Sequence, residues 1–201
     1  LEEKARDVFV LQCWTGQRFS DMQLLNTGVI KDSDNGKILE IVQKKRTHKV
    51  SIPLLPIALE ILEKYHFQVP KVRENTMLKC IKEAGKKAGI TERCIVTEDR
   101  GATVTNTSVC KYELIGTHTG RRSFISNMLL RGYDSHIIMK ITGHNDAKSF
   151  KKYVRLTSED AALLMLETES TKVRQSDKVP TTISQEGNKE AINILKQYQN
   201  T

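Results

Sequence analysis

The sequence has no apolar run long enough to cross a bilayer, and its first residues lack the charged-then-apolar pattern of a secretion signal. A membrane protein is excluded on this reading, and a cytoplasmic one is expected. Four cysteines, Cys13, Cys80, Cys94 and Cys110, include no C-x-x-C pair and have no histidine at metal-ligand spacing, which argues against a zinc site and for free thiols. There is no glycine-rich phosphate loop, no cluster of carboxylates, no internal repeat and no low-complexity tract. What is present is positive charge. The 32 Lys and Arg residues against 24 Asp and Glu leave a formal charge of +8 and a pI near 9.3, so the expected partner is anionic, with nucleic acid the first candidate. With 201 residues, 38% of them apolar, the chain can bury one sizeable core.

Hydrophobic periodicity places the elements. Ala5, Val8, Phe9, Leu11 and Trp14 recur at helical spacing until Thr15-Gly16, and a short helix resumes over Arg18 to Leu25. Runs rich in β-branched residues over 37–42 and 49–52 flank the polar stretch Lys45-Arg46-Thr47-His48 and predict a small antiparallel sheet whose second strand ends at Pro53. Further helices are marked by Ala58, Ile61, Leu62 and Tyr65, and by Leu78, Ile81, Ala84 and Ala88. Residues 94–112 show no clear period. A helix from Thr117 stops at Gly132, and a short one carrying Ile137, Ile138 and Ile141 ends at Gly143. Phe150, Tyr153 and Val154 share a face of the next, and Ser158-Glu159-Asp160 starts one more. The expected fold class is mainly α with one small antiparallel β-sheet (α+β). A polar linker is expected from Thr168 to Lys189, followed by a helix whose apolar face is Ala191, Ile194, Leu195 and Tyr198.

Three segments far apart in the sequence hold unusual polar residues beside structural punctuation. They are Thr15-Gly16-Gln17-Arg18-Phe19-Ser20-Asp21, His118-Thr119-Gly120-Arg121-Arg122, and Gly143-His144 followed by Tyr153. Taken singly, each has a bland reading as solvated charge or packing. Together they resemble the catalytic domain of the tyrosine site-specific recombinases, the phage-type integrases. That family has an arginine in T-G-x-R-x-x-E/D, a lysine on a β-hairpin, H-x-x-R, and G-H with a tyrosine nine residues past the histidine. Arg18 with Asp21 fits the first segment, Lys45 the second, His118 with Arg121 the third, and His144 with Tyr153 the fourth, in the same order. Counting back from Pro53 selects Lys45 over Lys44 and Lys49. The resemblance departs at Thr142, where the family often has leucine, and at Gly120, where its H-x-L-R has leucine; neither departure is expected to touch a catalytic position. The resemblance spans roughly residues 1–166, so we expect a catalytic domain over 1–167, and a linker with a carboxy-terminal helix over 168–201.

The resemblance implies a role for each residue. A phosphodiester repels nucleophiles and gathers further charge on its equatorial oxygens in the transition state, and Arg18 and Arg121 fork onto those oxygens as lysine cannot. Arg122 adds a phosphate contact. Tyr153 is the nucleophile, and a phenol holds its proton at neutral pH, so it needs an acceptor or a cationic surround. His118 accepts that proton or positions the phosphate, His144 donates a hydrogen bond to a phosphate oxygen, Lys45 protonates the leaving 5′-oxygen, and Asp21 orients a neighbour. The bond energy is kept in a 3′-phosphotyrosine, so the resemblance implies no cofactor and no metal. It implies double-stranded DNA as the partner, a homotetramer on DNA from a protein monomeric in isolation, and an accessory DNA-bending protein. It also implies a bacterial or phage origin with nucleoid association, a helical DNA-clamping domain upstream of Leu1, and a tail helix that docks on a neighbouring protomer. A type IB topoisomerase-like enzyme carries similar residues but religates the same strand, and a non-catalytic DNA-binding protein would need only the charge.

Overall fold

The structure is a computed structural model and describes residues 1–44, 49–99, 104–154 and 156–176. The chain divides into two compact units, Leu1–Ser158 and Glu159–Thr201. In the first, α1 (Glu2–Thr15) leads through a turn into a 3-10 helix (Phe19–Thr27), and then into three strands, β1 (Val29–Ser33), β2 (Gly36–Val42) and β3 (Lys49–Pro53). Helices α2 (Pro56–Lys64) and α3 (Glu74–Lys87) follow, then the hairpin β4 (Arg93–Asp99) and β5 (Val104–Cys110) and a 3-10 turn (Lys111–Leu114). Three helices close the unit: α4 (Thr119–Leu130), α5 (Ser135–Thr142) and α6 (Ala147–Lys151). The second unit is described through α7 (Ser158–Ser176), which has Glu159 and Asp160 in its first turn.

Burial explains why these segments pair. Alternate residues of β2 and β3 point inward, so Leu39, Ile41, Val50 and Ile52 are buried and meet Ala5, Val8 and Leu11 of α1 with Met22, Leu62, Met77 and Ile81. A second cluster joins Phe124, Ile125 and Met128 of α4 to Ile138 of α5 and Phe150 of α6. Trp14 and Ile141 pack against both clusters, which ties α1 to the helices that carry the second half of the site.

One carboxylate fastens α1 to α2. Asp7 is buried, and its oxygens accept hydrogen bonds from Arg6 at 2.7 and 2.8 Å, from Lys64 Nζ at 2.6 Å and from Tyr65 Oη at 2.8 Å. Burial pushes its pKa up, but the bonds from Lys64, Arg6 and Tyr65 outweigh it and hold the group below its ordinary value. The stabilisation is therefore present above the unfolded carboxylate pKa and is lost as pH falls through the lowered one. Asp7→Asn should cost about 2 kcal/mol at pH 7 and progressively less as pH falls through the lowered carboxylate value, measured by urea unfolding at pH 7 and along an acid series. A cost that stays the same along the whole series would show that the charge is irrelevant.

The fold is the expected α+β class, and it differs from the sequence reading in three places. The sheet has a third strand, in the order β1-β2-β3, all antiparallel, with β1 joined to β2 through Asp34-Asn35. Residues 94–112, without visible period, form most of a second hairpin, so there are two small sheets rather than one. The linker expected from Thr168 is helical as far as Ser176. The helix expected over Ala191–Tyr198 lies outside the described residues.

Candidate active site

Arg18 is set by the end of α1. Gly16 closes that helix in the left-handed conformation (φ 67°), and a Cβ there would stand 2.4 Å from the Phe124 ring, so glycine is required on both counts. The chain turns, and Arg18 caps the 3-10 helix with its guanidinium 3.5 Å from Asp21 Oδ2 and 3.4 Å from Gln43 Oε1. Asp21, fully buried, orients Arg18 and accepts the backbone N–H of Lys44 at 3.3 Å, which pins the start of the β2–β3 turn. Lys45 itself lies outside the described residues. Lys49 is engaged elsewhere: its ammonium is 2.7 Å from Glu40, which Lys49 and Lys31 hold at a pKa of about 2.

Arg121 reaches the same place from α4. Its side chain is wholly buried, with Nη1 donating to Gly16 O at 2.9 Å and Nη2 to Thr142 O at 2.8 Å, so one guanidinium joins the Arg18 turn to the end of α5. Burial, with Arg18 adding to it, lowers its pKa to about 10, still well above neutrality. Its Nε is buried without a hydrogen-bond partner among the described residues. An unpaired donor on a buried cation suits an anion brought from outside.

Gly143 ends α5 at φ 72° and turns the chain so that His144 faces the cluster. Tyr153 stands two residues past the end of α6, not on it; its N–H bonds to Phe150 O at 2.9 Å, and its ring packs on the Phe150 cluster. That release from the helix lets the phenol turn toward three groups at once. Its Oη is 3.4 Å from His118 Nδ1, its ring centroid is 5.0 Å from that of His144, and the Arg121 guanidinium lies 5.4 Å over it. His118 is exposed at the start of α4 and lines a 210 Å³ cavity with Arg18 and Glu74. Partial burial and the charges of Arg122, Arg121 and Arg18 lower its pKa, so the ring is neutral at pH 7 and able to accept a proton. Arg122 is exposed beside it.

A layer of buried amides, which the sequence reading missed, supports these groups. Gln43 Nε2 donates to Gln17 Oε1 at 2.6 Å and to Thr142 O at 3.1 Å. Gln17 Nε2 donates to Thr15 O and Ile141 O, each at 3.0 Å, and Gln12 Nε2 to Thr117 O at 2.8 Å. Gly120 belongs to this layer, because a Cβ there would come within 2.9 Å of the Gln12 amide; the leucine usual in the resembled motif does not fit. The available signal was Gln17 inside the first punctuated segment, Gln12 about one helical turn before it, and Gln43 just after β2.

Fold and cluster together define a mainly helical domain in which the Arg121 guanidinium and two imidazoles surround a single tyrosine, with Arg18 lining the cavity beside His118. The residues that converge are those shared with the recombinase motifs, Lys45 apart. The chain belongs to the Phage integrase family, whose model matches residues 2–160. No curated protein matches it in sequence. Among solved structures it is similar to the XerH site-specific recombinase in a post-cleavage complex with palindromic difH substrate, at 14% identity and a TM-score of 0.56. It is also similar to XerH in a pre-cleavage complex with difH, at 13% identity and a TM-score of 0.52. In both cases 80% of this chain and 46% of XerH are covered. The XerA recombinase matches at 17% identity with a TM-score of 0.51, over 84% of this chain and 62% of XerA. These likenesses establish the fold, and the chain spans about half to three-fifths of the neighbours' lengths.

Proposed function

We propose that this chain is the catalytic part of a site-specific DNA recombinase that cuts and rejoins strands through a 3′-phosphotyrosine. The observation that carries the reading is the Tyr153 hydroxyl 3.4 Å from a neutral imidazole, His118, with the buried Arg121 guanidinium over its ring. Tyr153 Oη attacks the phosphorus and forms the P–O(Tyr) bond as the P–O5′ bond breaks. The phenolic proton passes to His118. Arg18 and Arg121 hold the non-bridging oxygens, His144 faces one of them, and Arg122 holds the DNA backbone nearby. Lys45 protonates the departing 5′-oxygen, and Asp21 keeps Arg18 in place. In this reading the substrate is double-stranded DNA, four protomers assemble on two duplexes, and no metal or cofactor takes part.

The test is to incubate the full-length protein with its own flanking DNA, run the products on a denaturing gel, and sequence the junctions. Expected are a protein linked to a DNA 3′ end and strands joined between two duplexes. An adduct that only ever restores the parent strand identifies a topoisomerase-like enzyme, and no adduct at all leaves a DNA-binding protein.

The role of Lys45 has its own test. A bridging 5′-sulfur departs as a thiolate without a proton, so Lys45→Ala should cleave that substrate at close to the wild-type rate. On the oxygen substrate the same variant should be slower by on the order of a hundredfold, measured in single turnover. Equal defects on both substrates would transfer the role to Lys44 or Lys49.

A further inference from the structure

Gln17 fills the unspecified place in the first motif and Gln43 lies just past β2; both are buried beside the site. Their hydrogen bonds fix which way each amide points. Gln17 Nε2 donates to Thr15 O and Ile141 O, each at 3.0 Å, and since a carbonyl only accepts, the nitrogen belongs there and Gln17 Oε1 is an acceptor turned toward Gln43. That oxygen takes one hydrogen of the Gln43 amide at 2.6 Å, and Thr142 O takes the other at 3.1 Å. Gln43 Oε1 is thereby directed at Arg18, 3.4 Å from Nη1, where Asp21 Oδ2 also arrives at 3.5 Å. Turning the Gln43 amide over would set its oxygen against two others and its N–H groups against a guanidinium, which is repulsive at both ends. The amide packs directly on Gly143, where an added Cβ would overlap Gln43 Oε1.

We propose that Gln43 is a positioning residue for Arg18, with its acceptor aimed by Gln17. Two backbone carbonyls orient one amide, that amide orients the next, and the second holds one corner of the guanidinium. Both contacts fall on Nη1, at the wall of the cavity that Arg18 shares with His118. Each is long, and a guanidinium held by Asp21 alone at 3.5 Å would swing about that single contact. Asp21 supplies the charge and Gln43 a neutral second point, so the direction of Arg18 is set without a second negative group beside an incoming phosphate. The placement of Arg18 is a property of the protein alone, whereas its effect on DNA cleavage rests on the recombinase reading.

The experiment uses full-length protein labelled with ¹⁵N-arginine, as wild type and as Gln43→Met, with the Arg18 signals assigned by their absence in Arg18→Lys. Methionine keeps the length and the burial and removes the amide. Expected are separate Nη1 and Nη2 resonances for Arg18 in the wild type, because the held guanidinium rotates slowly, and a merged resonance in the methionine variant. Single-turnover adduct formation at saturating duplex should fall about tenfold in Gln43→Met with duplex affinity unchanged, as befits a displaced rather than a missing group. A methylphosphonate at the scissile position replaces one charged oxygen by a neutral methyl, and on one of its two diastereomers the defect should shrink to about twofold or less, since the charge that Arg18 meets is gone. A loss of general structure would not distinguish these substrates. Merged Arg18 resonances in the wild type overturn the proposal and need no variant to fold. Resonances that stay separate in Gln43→Met overturn it too, as does the same defect on the phosphodiester and on both methylphosphonates. A wild type that forms no adduct removes the recombinase reading, and the resonances of the two proteins then decide the placement of Arg18 by themselves.

Discussion

Tyr153→Phe should form no covalent adduct with DNA, with duplex affinity close to that of the wild type. The substitution removes one oxygen and one long hydrogen bond, to His118 at 3.4 Å. The ring keeps its place, because it is held by packing against the Phe150 cluster and by His144 and Arg121, none of which uses the hydroxyl. A denaturing gel reads the adduct, and a native titration reads the affinity. Neither of the two other tyrosines that merit comparison can replace Tyr153 without large movement. Tyr133 is half exposed on the α4–α5 loop, and Tyr112 sits in the Lys111–Leu114 turn against Gly85 of α3. An adduct of wild-type strength in Tyr153→Phe would make one of these the nucleophile and dissolve the site as drawn.

Arg121→Lys should slow strand cleavage by on the order of 10²–10³, the range for losing a donor aimed at developing negative charge. Lysine keeps the charge but is a single point. It cannot bond Gly16 O and Thr142 O together, as the guanidinium does at 2.9 and 2.8 Å, and still turn a third donor toward a phosphate. Arg121→Ala should do further harm of a different kind. It takes the side-chain donor from the buried Gly16 O and leaves Thr142 O with the Gln43 amide alone, and should lower stability by roughly 1–3 kcal/mol in addition to ending cleavage. The pair of variants separates the two jobs of the side chain: thermal melting reads the strut, and the single-turnover rate reads the clamp. Wild-type cleavage by the lysine variant would show that the guanidinium only braces the fold.

What could be read from the sequence was whatever burial or punctuation imprints on it. The ends of α1 and α5 were legible because Gly16 and Gly143 are needed for left-handed turns, and both stand beside catalytic candidates. The helices of the core were legible because each buries one face. The β4–β5 hairpin was not, because Ile95 and Val104 are largely exposed, and strands that bury neither face carry no alternation. Its β-branched content was the available clue. The first strand was missed although Asp34-Asn35-Gly36 is a strong hairpin signal. Periodicity placed Tyr153 on a helix with Phe150 and Val154; the three do pack together, but through a turn that ends the helix and frees the phenol. Thr142 and Gly120 looked like neutral departures because a motif records positions and not the atoms behind them. Only the fold sets Gln12 against Gly120 and the Thr142 hydroxyl against His144.

The buried amides have a consequence for how the site answers acidity. Gln12, Gln17 and Gln43 bind the Arg18 turn, the start of the Lys45 hairpin, the approach to His118 and the end of α5 into one frame, and an amide neither gains nor loses a proton in the physiological range. A frame made of salt bridges in the same place would loosen whenever its acids were neutralised. Here the carboxylate among the described parts of that frame is Asp21, and the frame presents the His118 imidazole, whose pKa partial burial and the neighbouring arginines lower. A fall of pH through the lowered His118 value therefore changes the hydrogens that this imidazole holds and leaves the amide frame where it was, so that protonation and position act as separate variables in the same few ångströms.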